Sequence, residues 1–84
     1  MVEVTVYSTN YCPYCTRAKD LLRRKGVKYK EVNVEDEARR EAMVDRAGGR
    51  RTVPQIFIGE QHVGGFDDLY ALEKTGKLDA MLAQ

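Results

Sequence analysis

The spacing of apolar residues changes several times along the chain, and each change predicts an element. VEVTVY (2–7) alternates, which predicts a strand carrying Val2, Val4 and Val6 on one face. From Pro13, a residue favoured at a first helical position, Ala18, Leu21 and Leu22 recur at helical spacing until Gly26, predicting an amphipathic helix. VKYKEVNV (27–34) alternates again, with Val27, Tyr29, Glu31 and Asn33 on one side; both sides are mixed, so the pattern predicts a strand without settling its facing. EDEARREAMVDRAGG (35–49) opens acidic and closes on Gly48 and Gly49, predicting a second helix whose apolar face is Ala38, Ala42, Met43 and Ala47. QIFIGEQHVGG (55–65) reads as a hairpin around Gly59 and Glu60, DDLYALEKTG (67–76) as a helix, and KLDAMLAQ as a last amphipathic turn. The order β-α-β-α-β-β-α is that of an α/β chain with a four-stranded mixed sheet flanked by helices. Its first two strands, joined through a helix, should be parallel and the hairpin antiparallel.

Composition narrows the class. At 84 residues, one domain spanning 1–84 is expected, with a modest core. Two cysteines are too few for a small secreted disulfide scaffold, so a reducing cytoplasm is the expected compartment. MVEVTVYSTN lacks the apolar stretch of a signal peptide, and no 18 apolar residues run together, so a soluble protein with no membrane partner is expected. A net charge of +1 makes no general case for nucleic acid, yet the segment Arg17 to Lys30 holds seven basic residues against one acid, Asp20.

The chemistry is concentrated in TNYCPYCTRAKDLL (9–22), where Cys12 and Cys15 stand three positions apart at the mouth of the first helix. A zinc site needs four ligands, and beyond the two thiols His62 is the remaining conventional soft donor, so no metal site is expected. Burial as inert core filler is the plainer reading, and the spacing argues against it: residues i and i+3 share a helix face, close enough for a disulfide to close and reopen. Cys12, beside the unpaired N–H groups of the first turn, is the expected nucleophile. Cys15, one turn further in, is the expected resolving thiol. A thiolate stabilised at a helix end gains little as an attacking group, because its intrinsic nucleophilicity falls as its population rises; it gains chiefly as a leaving group when its mixed disulfide is broken.

CPYC after a first strand, TVPQIFI at 52–58 and GGFDDLYAL at 64–72 together resemble the glutaredoxins, in kind the small bacterial dithiol ones, over nearly the whole chain. The resemblance implies the thioredoxin fold and a glutathione-dependent thiol-disulfide oxidoreductase. Cys12 would attack and Cys15 resolve, Tyr14 would wall a glutathione groove, and the segment Thr52, Val53 and Pro54 would lie opposite the thiols. There Pro54 would be cis and the Val53 backbone would pair with the substrate's cysteinyl unit. Gly65, Phe66 and Asp67 would meet the γ-glutamyl end: backbone N–H groups at the helix start take its carboxylate, and the Asp67 side chain takes its amino group. Many relatives carry a lysine where this chain has Thr9, and Arg50 and Arg51 are the candidates to replace that cation at the glycyl carboxylate. His62 and the basic run read as ordinary surface. The implied partners are glutathione, as electron-donating co-substrate with no resident cofactor, and disulfide-bonded or glutathionylated proteins; a monomer is expected. Three rivals are a thioredoxin-like redoxin served by a flavoprotein reductase, for which a WSGF-type segment would stand where GGFD stands, a glutathione-bound iron-sulfur scaffold, against which Pro13 and Tyr14 speak, and a non-catalytic module that only binds thiol peptides, which would require the loss of either cysteine's reactivity.

Overall fold

A computed structural model describes residues 2–83. Strands β1 (Val4–Ser8), β2 (Lys30–Asn33), β3 (Gln55–Ile58) and β4 (Gln61–Gly64) form one sheet in the order β2-β1-β3-β4. The first two are parallel, and β1 with β3 and β3 with β4 are antiparallel, as the connections require. Helices α1 (Pro13–Arg24), α2 (Glu37–Arg46), α3 (Phe66–Thr75) and α4 (Lys77–Leu82) complete the chain.

Alternation along the central strands separates two packed faces. Val4 and Val6 of β1 and Ile56 and Ile58 of β3 join Ala18, Leu21 and Leu22 of α1, Leu69 of α3 and Leu78 of α4 in one buried cluster. Full burial of a leucine such as Leu22 or Leu69 contributes about 1.5–3 kcal/mol, so this face supplies much of the cohesion that holds α1 and α3 side by side. On the other face Phe57 is buried, with Tyr7 edge-on at 5.6 Å and the Arg46 guanidinium of α2 4.1 Å from its ring centroid. Arg46 also donates to the Tyr7 hydroxyl at 3.0 Å and to the Gly59 carbonyl at 3.2 Å, clamping α2 over the sheet.

Two patterns differ from expectation. The second strand covers the last part of 27–34; Val27 and Tyr29 lie before it as half-buried residues packed against the core. In α2 the exposed residues include Ala38 and Ala42, while Met43 and Ala47 are buried and Arg40 and Val44 half-buried. The stripe that faces the sheet is therefore 40, 43, 44 and 47. An arginine belongs to it because its stem packs while its head donates to the Val34 and Arg51 carbonyls. A methyl group is too small for alanine positions to decide a helix's facing against that.

Candidate active site

The loop between β1 and α1 is held from outside. Asn10 receives the Asn33 amide on its side-chain oxygen at 2.8 Å and donates its own N–H and amide to Glu35, each at 3.1 Å. Cys12 then caps α1 with its sulfur: the Cys15 N–H donates to Cys12 Sγ at 3.1 Å, filling the position that a serine or aspartate oxygen takes in ordinary caps. A donor aimed at sulfur, at a helix end whose first turn holds no acidic residue, stabilises negative charge there. Cys12 Sγ also lies 3.7 Å from the Val53 carbonyl oxygen, and the Val53-Pro54 peptide bond that follows is cis.

Cys15 is buried at 1 % exposure, whereas Cys12 is partly open to solvent. Burial first, and then the hydrogen bond with Cys12, push the Cys15 thiol up to about 12. The two sulfurs thus divide the work before any substrate arrives. The outer one is accessible, and the inner one is buried and held protonated at neutral pH.

Beside the thiols opens a cleft of about 370 Å3, lined by Tyr14 on one wall, Thr52, Val53 and Pro54 on another, and Arg50, Gly65, Phe66, Asp67 and Asp68 at its far end. The far end is built on the start of α3. Gly65 is its N-cap, Asp67 and Asp68 fall in its first turn, and the Asp68 carboxylate turns back to accept the Gly65 N–H at 3.0 Å. The same oxygen lies 3.4 Å from Arg50 Nη1, which steers the arginine into the cleft. Gly64 makes this possible. Its φ of +119° suits glycine, and a Cβ there would run into the Asp68 carboxylate and lie 2.9 Å from Arg50 Nη1. Below the cleft, Gln55 is fully buried; its amide donates to the Thr52 carbonyl at 2.9 Å and to the Thr52 hydroxyl at 3.2 Å, which leaves its oxygen to accept from His62 Nε2 at 2.6 Å. That network places the His62 proton on Nε2.

The glutaredoxin family model matches residues 4–63. The glutaredoxin of Pseudomonas aeruginosa is 54% identical over 83 residues, covering 99% of both chains, and Glutaredoxin 3 of Escherichia coli is 53% identical over 98% of this chain and 99% of its own. The chain belongs to the glutaredoxin family. Among solved glutaredoxins, the buckwheat protein in its glutathione complex superposes with a TM-score of 0.88 at 36% identity, covering 98% of this chain and 77% of that one. The Brucella melitensis protein does so at 0.86 with 54% identity, covering 98% and 89%. The fold is accordingly the thioredoxin fold, and the protein is a thiol-disulfide oxidoreductase.

Within this glutaredoxin the expected site residues separate. Tyr14, Arg50, Thr52, Val53, Pro54, Gly65, Phe66 and Asp67 meet in the cleft beside Cys12 and Cys15. Arg51 does not. Its guanidinium turns to α2, donating to Glu41 at 2.9 Å and Glu37 at 3.0 Å, and the Glu41 carboxyl is held below its ordinary range by it. Of the two adjacent arginines, Arg50 is the one that lines the cleft, at its α3 end beside Asp68. Asp68 was not among the expected residues, although it lines the cleft, caps α3 and holds Arg50. The signal for it is in the chain: an acid three positions after the N-cap glycine is the far half of a capping box. His62, expected as surface, is half-buried and stacked on Phe57 at 4.8 Å. Among the described residues no cluster of three or more His, Cys, Asp or Glu side chains is placed to hold a metal ion.

Proposed function

We propose that this protein, in the cytoplasm and as a monomer, reduces glutathione mixed disulfides and protein disulfides with electrons from glutathione bound in the cleft beside Cys12. The observation that carries this reading is the continuity of that cleft: from the capping sulfur it passes the Val53 backbone and ends at Arg50, Asp67, Asp68 and the first N–H groups of α3. A tripeptide with a cysteinyl centre and opposite charges at its γ-glutamyl end fits that series of groups. With a glutathionylated target, the Cys12 thiolate attacks the glutathione sulfur, the target leaves as its thiolate, and glutathione stays joined to Cys12. The thiolate of a second glutathione attacks that sulfur, forms oxidised glutathione and returns Cys12 as thiolate. With a protein disulfide, Cys12 becomes joined to one target sulfur, and Cys15 attacks Cys12, closing the intramolecular disulfide and releasing the second target thiol. Two glutathiones then reopen the pair.

The test uses a glutathionylated peptide with glutathione, NADPH and glutathione reductase as the whole electron supply. Sustained peptide release dependent on glutathione is expected. Turnover that needs a flavoprotein thioredoxin reductase and ignores glutathione would overturn the reading.

A further inference from the structure

Phe66 lines two concavities. Besides the cleft, it borders a groove of about 580 Å3 between α1 and α3, whose other lining residues are Arg17, Asp20, Arg23, Arg24 and Tyr70. Its floor is aromatic: the Phe66 and Tyr70 rings stack with centroids 5.8 Å apart and 13° between planes, and Tyr14 continues the row at 6.4 Å from Phe66 toward the thiols. Tyr14 and Tyr70 remain 53% and 47% exposed, so folding alone does not account for the row. Its rim is basic. Three arginines face one acid, Asp20, which Arg23 already holds at 3.2 Å. A further cation, Lys74, lies 5.5 Å from the Tyr70 ring centroid. Glutathione is accommodated by the cleft and requires neither the arginines of this rim nor Tyr70, whereas a protein joined to Cys12 through its cysteine has flanking chain that must leave across the surface.

Resting on the reading above, we propose that this groove docks the flanking segment of the target protein. It selects segments that place aspartate or glutamate, with an aromatic or aliphatic side chain, about two to six residues from the target cysteine. The spacing follows from the two elements. Along α1, Arg17 and Arg24 lie about 7 and 18 Å beyond Cys12 at 1.5 Å per residue, and an extended peptide covers those lengths in about two and six residues. The arginines supply complementary charge and the Phe66 and Tyr70 rings supply the apolar contact, the combination that concentrates energy at protein interfaces.

The experiment compares peptides that carry an internal disulfide and are identical except for the flank of the attacked cysteine, Glu-Phe-Glu against Lys-Phe-Lys and Glu-Ser-Glu, with a glutathione–cysteamine mixed disulfide as small probe. At low salt kcat/KM is expected to favour Glu-Phe-Glu over Lys-Phe-Lys about 5- to 10-fold, shrinking as salt rises. Arg23→Glu/Arg24→Glu should abolish or reverse that order, and Tyr70→Ala should erase the advantage of Phe over Ser, while both variants keep the wild-type rate on the small probe. Equal rates on all three peptides, with the small probe turned over normally, overturn the docking proposal alone. Failure of wild type on every probe overturns the glutathione reading and this one together. A concentration-dependent dimer in sedimentation, lost in Tyr70→Ala, would assign the groove to a second copy of the chain and overturn the proposal as well.

Discussion

Helices α1 and α3 both begin at the edge of the cleft, and their first turns are built in opposite ways. α1 is capped by a sulfur, carries Pro13 in its first turn and has no acidic residue there. α3 has a glycine at its cap and two aspartates in its first turn, one of which closes back on the cap N–H. The unpaired N–H groups are the same at both ends. Leaving the anion's place at α1 to Cys12 puts the stabilisation on an atom that reacts. At α3 one carboxylate spends itself on the backbone and on Arg50, and the other, Asp67, is exposed at the cleft end with the remaining N–H groups beside it. One helix start offers its free N–H groups to a reactive sulfur; the other, on the proposed reading, offers them to the γ-glutamyl end of glutathione.

The difference is broken most completely at α1. Cys12→Ser removes the nucleophile and should abolish turnover of every disulfide, by roughly 10^3-fold or more. Cys15→Ser should keep reducing a glutathione mixed disulfide, because free glutathione replaces the resolving thiol, and should stall on a protein disulfide. Iodoacetamide at neutral pH should label Cys12 alone in the folded protein, since Cys15 is buried and its thiol is pushed up to about 12. Equal labelling, or equal loss of both activities in both variants, would refute the division between the sulfurs.

At α3 the largest effect is structural. Gly64→Ala puts a Cβ at a φ of +119° and into the Asp68 carboxylate, so a loss of about 2 kcal/mol or more is expected in urea unfolding, together with weaker binding of glutathione. An unchanged midpoint would show that Asp68 and Arg50 are free to move aside.

The two aspartates should then separate by readout. Asp67→Ala is expected to lower kcat/KM for a glutathione mixed disulfide roughly 5- to 30-fold, the loss of one partly exposed charge-assisted contact, and to leave a cysteamine disulfide unaffected. Asp68→Ala loses the cap contact, about 1 kcal/mol, and should lower Tm by about 4–8 °C. Identical consequences in the two variants would collapse the distinction between reading and capping.

Much of this was legible in the chain, and the parts that were not share a cause. The strand at VEVTVY and the helix after Pro13 carry a strong period, and the pattern places both, within two residues at the first strand's ends. The three glutaredoxin motifs led to the cleft because they hold side chains near each other whose separation in sequence says nothing about contact. What failed was directional. Arg50 and Arg51 are adjacent and chemically identical, and only the position of Glu37 and Glu41 on α2 draws one of them away. Asp67 and Asp68 are likewise equivalent in sequence until the helix start is fixed to within one residue, which decides the one that reaches the cap. Ala38 and Ala42 misdirected the second helix because alanine fits either face.

The smallest effect links the recognition end to pH. His62 donates through Nε2 to Gln55, which in turn holds Thr52 at the cleft, and burial holds the imidazole below its ordinary pKa, with the nearby Arg50 charge adding to the depression and Asp68 opposing it. A base whose folded pKa is depressed takes up protons more readily unfolded, so stability rises with pH across this window. The contribution is complete above about 6.5 and is lost as pH falls through the lowered folded value. Carboxylates such as Glu31, held low by Lys19 and Ser8, lose theirs in a separate window, as pH drops below about 4.3. Urea midpoints measured from pH 7.5 to 5 should therefore decline gently in wild type and stay flatter in His62→Gln, whose amide can keep the bond to Gln55 without titrating. The decline should appear in glutathione affinity too, since Thr52 belongs to that cleft, and not in Cys12 alkylation of the glutathione-free protein corrected for thiol ionisation. Parallel profiles for wild type and His62→Gln would show that the histidine does not couple the sheet to the recognition end.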